Sequence, residues 1–364
     1  MLPAAAASSH NTGALSFHQP EMHHVEGLKM SPRSMARAVL TSSALYPWVR
    51  RRALRQRPIT VLMYHTLGED GEDFDAWTVV PMAEFQRQMD HLRSHYDVVS
   101  LDDALAHHTS GRFEADGRPL AVVTFDDGHS GLHRHLLPYV EKERLPVTVF
   151  VATGHVETGR SYWFDRAMNA LQSTDPWMVD LSAYGLTPCQ VGRARGPSNW
   201  ESIRTLLDGM KRLSPNEREQ ACDELVRQAQ GAKGSRFVPL APLTLPQLCE
   251  LGRSPWITIG AHTHGHELLD QLGPAEARQT MAHSRDLLQS WTGLQIRHFA
   301  YPNGNYNAAV STEARRLGFA SAFTTRKGLW TTSEDLHELP RIPVGRYDDL
   351  PRFKWALLGG RVFH

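Results

Sequence analysis

Short apolar runs alternate with segments of helical spacing from Pro58 onward. The runs at residues 59–64, 120–125 and 147–152 consist almost entirely of apolar and β-branched residues, as expected of strands that are buried on both faces. Helical spacing separates them, for example over residues 81–93, where apolar side chains recur every three or four positions. Strands that alternate with helices predict a parallel α/β fold.

The alternation stops between about residues 155 and 242, where helical spacing prevails and strand character is low, so a largely helical insertion is predicted there. Alternation then returns, and together with a short strand at 96–99 it makes seven or eight strands in all. The pattern predicts a distorted (β/α) barrel of about seven strands, with the option that it stops one strand short of closure. The later strands are predicted at residues 256–260, 297–301, 319–324 and 339–344.

Residues 1–56 show little periodicity and are rich in Ala, Ser, His and Pro, which predicts a disordered or weakly helical leader. The barrel is predicted over residues 57–350, followed by a C-terminal tail at 351–364. The leader lacks the layout of a signal peptide, and the sequence has no apolar run of about 20 residues. Residues 36–57 carry Tyr and Trp beside several arginines, a combination suited to peripheral contact with a membrane; a solvated leader is the alternative we favour.

Composition removes several classes of function. Lys and Arg total 39 and Asp and Glu total 39, so the formal net charge is zero and no global basic field favours nucleic acid. The three cysteines are Cys189, Cys222 and Cys249, and their wide spacing argues against a thiolate zinc site or a disulfide framework.

Two polar clusters directly follow predicted strands. Asp126 and Asp127 directly follow the apolar run at 120–125, and His262 and His266 follow the strand at 256–260. Active sites of α/β barrels are built at the carboxyl ends of the strands, so these clusters are expected to meet. Each alone has an ordinary explanation: helix capping for the acids, and a polar loop in a chain with 20 histidines for the imidazoles.

Taken together, the two clusters predict a metal centre. Two imidazoles and one carboxylate form a ligand set that leaves positions open for water on zinc, iron, cobalt or manganese. The second carboxylate is then available as a base. A third cluster, the aromatic-Pro-x-Gly turn at Tyr301 and Pro302, can wall a pocket and offer a backbone N–H to an oxyanion, although it equally suits an ordinary turn.

At these residues the chain resembles the polysaccharide deacetylases, carbohydrate esterase family four. The runs Thr124–Gly128 and His262-Thr-x-x-His266 and the turn after Tyr301 are similar to the first three motifs of that family. The resemblance covers roughly residues 57–345. The opening Leu-Met-Tyr-His65 is similar to a bacterial branch of the family.

The resemblance implies a hydrolase of carbon–nitrogen bonds that removes an N-acyl group, acetyl in the first place, from an amino sugar of a polysaccharide or lipid-linked glycan. It implies that Asp127, His262 and His266 bind one divalent metal ion, zinc foremost with Co, Mn, Fe or Ni as alternatives. It implies Asp126 as the general base. It also implies a barrel of about seven strands, in agreement with the hydrophobic pattern.

The chain departs from the family at two motifs. Many members have Arg before the Tyr-Pro of the third motif, where this chain has Ala300, which leaves the orientation of the base unexplained. Many members also carry a Leu-x-His that supplies the general acid, and Leu339-Pro-Arg-Ile-Pro343 stands there instead, with His337 as the nearest histidine. His65, at the end of the first strand, is the alternative acid or pocket residue; a capping or core role is its ordinary explanation.

Two other functions are compatible with this pattern: deformylation or deacylation of another small amide at the same metal site, and glycan binding without catalysis. The expected partner is an N-acetylated glycan or lipid-linked sugar, not nucleic acid. Absence of a clear signal peptide favours a cytoplasmic or peripheral membrane location, whereas the family resemblance leaves the cell envelope and the exterior open.

Overall fold

The computed structural model describes residues 39–41, 45–54, 58–69, 76–110, 117–193, 197–232 and 234–358. The predictions for residues 1–38, 42–44, 55–57 and 359–364, which include most of the leader and the end of the tail, lie outside these described residues.

Seven parallel strands form a closed barrel. The first strand pairs with the last on one side and with the second on the other, which closes the ring. The predicted barrel of about seven strands is therefore confirmed, and the option of an open barrel is wrong. The barrel strands are β1 (Thr60–Tyr64), β2 (Leu120–Phe125), β3 (Val147–Val151), β4 (Ile257–Ala261), β5 (His298–Ala300), β6 (Ser321–Lys327) and β7 (Leu339–Pro343).

The barrel strands are buried along nearly their whole length, because side chains fill the interior and helices cover the exterior. The strand predicted at 96–99 is reduced to Asp97–Val98, which pairs with the start of β2 and does not take part in closure. A second short parallel pair, Thr66–Gly68 with Val79–Pro81, follows β1.

The helices lie between the strands and at both ends of the described chain. Two of them begin with reciprocal capping boxes, Ser214 with Glu217 and Thr244 with Gln247, which satisfy backbone N–H groups at the helix starts. The α-helices are α1 (Tyr46–Ala53), α2 (Met82–His95), α3 (Leu101–Ser110), α4 (Leu137–Glu143), α5 (Thr153–Thr158), α6 (Trp163–Gln172), α7 (Pro197–Lys211), α8 (Pro215–Gly231), α9 (Leu245–Arg253), α10 (Pro274–Thr292), α11 (Ala308–Arg316) and α12 (Leu350–Ala356).

The segment between β3 and β4 has its own hydrophobic core, formed mainly by α6, α7 and α8. It also contains an antiparallel strand pair, Trp177–Val179 with Cys189–Val191, which the hydrophobic pattern did not predict. Strands of three residues are too short to show a period of two, so this pair is visible only in the structure. Because the segment leaves the barrel at the carboxyl end of β3, it stands beside the site.

Helices flank the barrel at both ends of the described chain. Tyr46 and Val49 of α1 pack on Leu358, just beyond α12, in a small separate cluster. Phe353 of α12 is fully buried in the main core. Within the described residues, no helix combines the length and apolar character needed to cross a bilayer.

Candidate metal-dependent active site

The site lies where β2 and β4 end. The backbone N–H of Asp126 still donates to the Tyr64 carbonyl at the end of β1, at 2.9 Å. In the same way, the N–H of His262 donates to the Val151 carbonyl at the end of β3, at 3.1 Å. The barrel's own hydrogen bonds therefore set the starting points of both polar clusters, as the sequence pattern predicted from their positions after strands.

The backbone then turns sharply in both clusters. Asp127 and Gly128 have φ values of 73° and 78°, and Thr263 and His266 have φ values of 61° and 56°. Residues other than glycine rarely adopt this left-handed conformation, and such strain concentrates at functional sites. The turn after Asp126 separates the two neighbouring carboxylates, so that they serve different partners.

Asp127, His262 and His266 come together as a potential metal site. Their ligand atoms all lie within 4.8 Å of one another, and Asp127 Oδ1 is 3.3 Å from Nε2 of each imidazole. Ligands about 2.0–2.1 Å from a tetrahedral zinc ion stand roughly 3.3 Å apart, so the spacing fits a metal between them. The three residues that the sequence singled out as ligands are thus neighbours in space.

The protonation of His262 also suits a ligand. Its Nδ1 lies 2.7 Å from the Ala300 carbonyl oxygen, which can only accept a hydrogen bond, so Nδ1 carries the proton and Nε2 keeps its lone pair toward Asp127. Burial would raise the pKa of Asp127, but the adjacent imidazoles of His262 and His266 and the charge of His65 lower it well below its ordinary value. The potential donor set is therefore two imidazole nitrogens and one ionised carboxylate.

Asp126 is held by an arginine from the last strand. Arg341 donates from its two terminal nitrogens to the two oxygens of Asp126, at 2.7 and 2.6 Å, and both side chains are buried. Arg341 also donates to the Thr324 carbonyl at 3.0 Å and to the Thr124 hydroxyl at 3.1 Å. Such a bidentate pair fixes the plane of the carboxylate.

Arg341 therefore orients the predicted base in a chain that has Ala300 in place of the third-motif arginine. This role of Arg341 was not predicted from the sequence. One signal was present, because Arg341 stands inside an apolar strand and arginine is almost never buried unless it is paired. Burial would raise the pKa of Asp126, but the charge of Arg341 and its hydrogen bonds lower it. Asp126 is consequently an ionised acceptor.

His65 ends β1 and is near both acids. It is half-buried with its ring 5.4 Å from that of Trp77, and its buried Nδ1 has no hydrogen-bond partner among the described residues. Burial lowers the pKa of His65, while the charges of Asp127 and Asp126 oppose that effect. The structure thus places His65 at the site with one ring nitrogen uncommitted.

The turn at Tyr301 and Pro302 does not offer the backbone N–H of either residue to an oxyanion, contrary to the sequence-based expectation. The N–H of Tyr301 donates to the Phe323 carbonyl at 2.9 Å, so it is not available to an oxyanion, and Pro302 has no N–H. The Tyr301 side chain is fully buried and its hydroxyl donates to the His337 carbonyl at 2.9 Å. In this structure the link from this segment to the metal site is the Ala300 carbonyl.

His337 also lies outside the site. Its Nε2 is 2.8 Å from the Phe319 carbonyl, which precedes β6 and so belongs to the opposite end of the barrel. The histidine nearest in sequence to the missing Leu-x-His therefore does not replace the histidine of that motif.

A second buried pair links the insertion to the loop that follows β2 and carries Asp127, here called the metal loop because Asp127 is a candidate ligand. Sequence reasoning did not find this pair. His129 Nε2 lies 2.7 Å from Asp165 Oδ2, and both side chains are buried. Burial would lower the pKa of His129, but the Asp165 carboxylate outweighs it and raises the pKa. The Tyr162 hydroxyl donates to the Asp127 carbonyl, so the beginning of α6 is tied to the loop that carries the ligand.

Aromatic side chains of the insertion form one wall of the site. The rings of Tyr162 and Phe164 each lie 5.4 Å from the ring of His266. Tyr162 is buried, whereas Phe164 is half-buried and stacks on Tyr162 with an interplanar angle of 21°. One aromatic face therefore borders the candidate metal ligands and is partly open to solvent.

Comparison with known proteins connects this site to a family. The family model "Polysaccharide deacetylase" matches residues 114–180 and 243–322, which include the acids, both histidine ligands and the start of the insertion. A stretch of 102 residues, 28% of this chain, is 29% identical to YxkH of Bacillus subtilis (strain 168), a curated protein assigned to the same family. The match spans only 36% of that relative's length.

Solved structures share the fold. The deacetylase PplD of Streptococcus pyogenes, determined in complex with acetate, superposes with a TM-score of 0.54 at 19% identity, covering 82% of this chain and 98% of PplD. IcaB of Ammonifex degensii superposes with a TM-score of 0.52 at 22% identity, covering 82% of this chain and 97% of IcaB. At these identities the likeness establishes the barrel architecture, while the family match and the site geometry carry the functional argument.

Proposed function

We propose that this chain is a metal-dependent hydrolase that removes an N-acyl group, acetyl in the first place, from an amino sugar of a glycan; the match to the polysaccharide deacetylase model over residues 114–180 and 243–322 supports this. The observation that carries the proposal is the joint geometry of two buried groups. Asp127, His262 and His266 present three ligand atoms within 4.8 Å, and beside them Arg341 holds Asp126 ionised. A binding domain without catalysis would not require both.

The three ligands would hold a divalent ion, zinc being the ion that this donor set suits best. When bound, such an ion supplies an activated water and a positive charge for the acyl oxygen. All other steps are assigned to side chains of the chain itself.

Asp126 is the general base. Its ionised carboxylate accepts a proton from the attacking water, and Arg341 keeps both oxygens oriented while it does so. The water oxygen forms a bond to the acyl carbon, and the bond from that carbon to the amide nitrogen breaks. The products are a carboxylic acid and a free amine on the sugar.

His65 is the side chain assigned to protonate the leaving nitrogen, since an amine cannot leave as an anion near neutral pH. It stands at the end of β1 beside Asp126 and Asp127, and its Nδ1 is uncommitted among the described residues. His337, the alternative by sequence position, is bonded to the Phe319 carbonyl away from the site.

A sugar substrate is supported by the aromatic wall. Phe164 is half-buried next to His266, so a pyranose ring can cover its exposed face while the acyl group reaches the ligands. Deformylation of another small amide would not need this contact.

The experiment measures bound metal and released acetate together. The full chain is loaded with zinc, its metal content is determined by elemental mass spectrometry, and acetate release is followed with N-acetylglucosamine oligomers. Asp126→Asn is expected to keep the metal and lose turnover, whereas His262→Ala is expected to lose both. His264→Ala is the matched control, because His264 stands in the same loop with its Nδ1 on the Thr153 hydroxyl and is not a ligand.

Each outcome separates the alternatives. The chain could bind metal, release no acetate from any N-acetylated sugar, and yet hydrolyse a formyl amide. This result would replace the sugar substrate by another small amide. Failure of the intact chain to bind metal under any loading condition would overturn the enzyme assignment in favour of a glycan-binding domain.

A further inference from the structure

The end of the barrel opposite the site carries a group of exposed arginines, here called the basic rim. Arg118 and Arg144 precede β2 and β3, and Arg93 lies in the last turn of α2 before the strand Asp97–Val98. Arg51 and Arg52 belong to α1, which is attached at the same place. The basic rim consists of Arg51, Arg52, Arg93, Arg118 and Arg144, all of them exposed.

Helix α1 is anchored to this end of the barrel. Arg50 donates to the His95 carbonyl at 2.7 Å and its guanidinium lies 5.7 Å from the centre of the Tyr96 ring. Tyr46 is buried and its hydroxyl lies 3.3 Å from His91 Nε2. One face of the helix is therefore held against α2 and the residue that follows it.

The opposite face of α1 combines apolar and basic side chains. Leu45, just before the helix, is 42% exposed and Trp48 is 66% exposed. Arg51 and Arg52 follow Trp48 by three and four positions, so they share its side of the helix. The described chain has six exposed large hydrophobic residues, and three of them (Val39, Leu45 and Trp48) fall within ten positions here.

Charge at the rim is not balanced, although the whole chain has a formal net charge of zero. The acids beside it are already engaged: Glu143 pairs with Arg93 at 2.7 Å, and Asp97 lies 3.4 Å from Arg118. Over the described ranges, Arg51, Arg52 and Arg144 have no acidic partner.

A cleft of about 230 Å³ opens at the same rim. Arg93, Arg118 and Arg144 line it together with Tyr96 and Asp97. Arg93 and Arg118 are already paired with Glu143 and Asp97, so among the described residues Arg144 supplies the unpaired positive charge at the cleft, and this charge favours a phosphate group. Trp48 on the outer face of α1 favours an interface between water and hydrocarbon.

We propose that the basic rim and the outer face of α1 dock this protein on an anionic lipid surface. Tryptophan at the head-group level and arginines facing acidic lipids are two interactions that stabilise docking on such a surface, and here both lie at the amino end of the barrel, where α1 is anchored. The docked barrel presents its amino ends to the bilayer and its metal ligands to the opposite side. The proposal does not depend on the enzymatic assignment.

The test is co-sedimentation of the full chain with vesicles made of equal parts of phosphatidylglycerol and phosphatidylcholine, compared with phosphatidylcholine alone. Binding is expected only to the anionic vesicles and is expected to weaken as salt is added. Removing one arginine should weaken binding about fivefold, so the double variant Arg51→Gln/Arg52→Gln should lose roughly 25-fold. Trp48→Ala should also lose affinity.

Matched controls come from the insertion. Met178→Ala removes an apolar side chain that is 61% exposed, and Arg227→Gln removes an arginine that is 73% exposed. Both should bind like the unaltered chain, and circular dichroism verifies that every variant is folded.

Several results would overturn the proposal: no binding to the anionic vesicles, equal binding to both kinds of vesicle, or equal losses in the control variants. Retention by dextran sulfate without binding to vesicles would show that the rim takes a soluble polyanion and would likewise reject a lipid surface.

Discussion

Replacing Arg341 by methionine tests whether the buried pair with Asp126 supports the site. Methionine keeps a long, unbranched apolar side chain between the rings of Phe150 and Phe323, which lie 5.8 and 5.9 Å from the guanidinium carbon. The substitution removes every hydrogen bond that the Arg341 side chain makes and leaves the Asp126 carboxylate buried without its cation.

The expected cost follows from burial. Arg341 is fully buried and Asp126 is 3% exposed, so the lone carboxylate cannot be rehydrated in place. Removing one partner of such a pair lowers the free energy of unfolding by about 3–5 kcal/mol. An exposed pair of the same chemistry contributes only about 0–1 kcal/mol.

The chain contains that exposed pair. Arg315 donates to both oxygens of Asp335 at 2.8 and 2.7 Å, with side chains that are 56% and 45% exposed. Urea unfolding of Arg341→Met and Arg315→Met, followed by fluorescence and by circular dichroism, therefore compares two similar pairs that differ in burial.

A double variant sharpens the comparison. Asp126→Asn removes the charge that Arg341→Met leaves unpaired, so Arg341→Met/Asp126→Asn should be clearly more stable than the sum of the single losses implies. If Arg341→Met costs no more than Arg315→Met, or if the losses simply add, the pair does not carry the energy assigned to it and the orientation of the base needs another explanation.

Two further predictions concern the wall and the barrel. Phe164→Ala should raise KM for an N-acetylated sugar oligomer with little change in kcat, because the ring borders His266 without belonging to the ligand set; equal effects on a small acetyl ester would contradict a sugar contact. A hydrogen bond from His298, together with the nearby Arg297, lowers the pKa of Asp102, so this carboxylate adds stability above its ordinary pKa that is lost as pH falls through the lowered value. Asp102→Asn should therefore flatten the acid side of the stability-versus-pH curve, and an unchanged curve measured by thermal unfolding would refute this.

The sequence alone predicted the barrel and a set of candidate metal ligands that lie close together in the structure. Buried parallel strands have an apolar pattern that is local, so β1, β2 and β3 could be located from a few residues each, and the helical character of the insertion followed from spacing. Asp127, His262 and His266 could be predicted as candidate ligands because both clusters follow strands, and parallel strands in a barrel all end on one side.

The tertiary structure alone decided how those residues are supported. Closure of β1 onto β7 places Arg341 on Asp126, 215 positions away, and no local pattern encodes a partner at that distance. The same holds for His129 and Asp165, which meet only because the insertion folds back on the metal loop. The structure also makes the Tyr301 N–H unavailable to an oxyanion, contrary to expectation, because it donates to the Phe323 carbonyl of the neighbouring strand β6. The apolar pattern of a strand is set by residues that are adjacent in the sequence. The partners in ion pairs and hydrogen bonds are set by which distant segments the fold brings together.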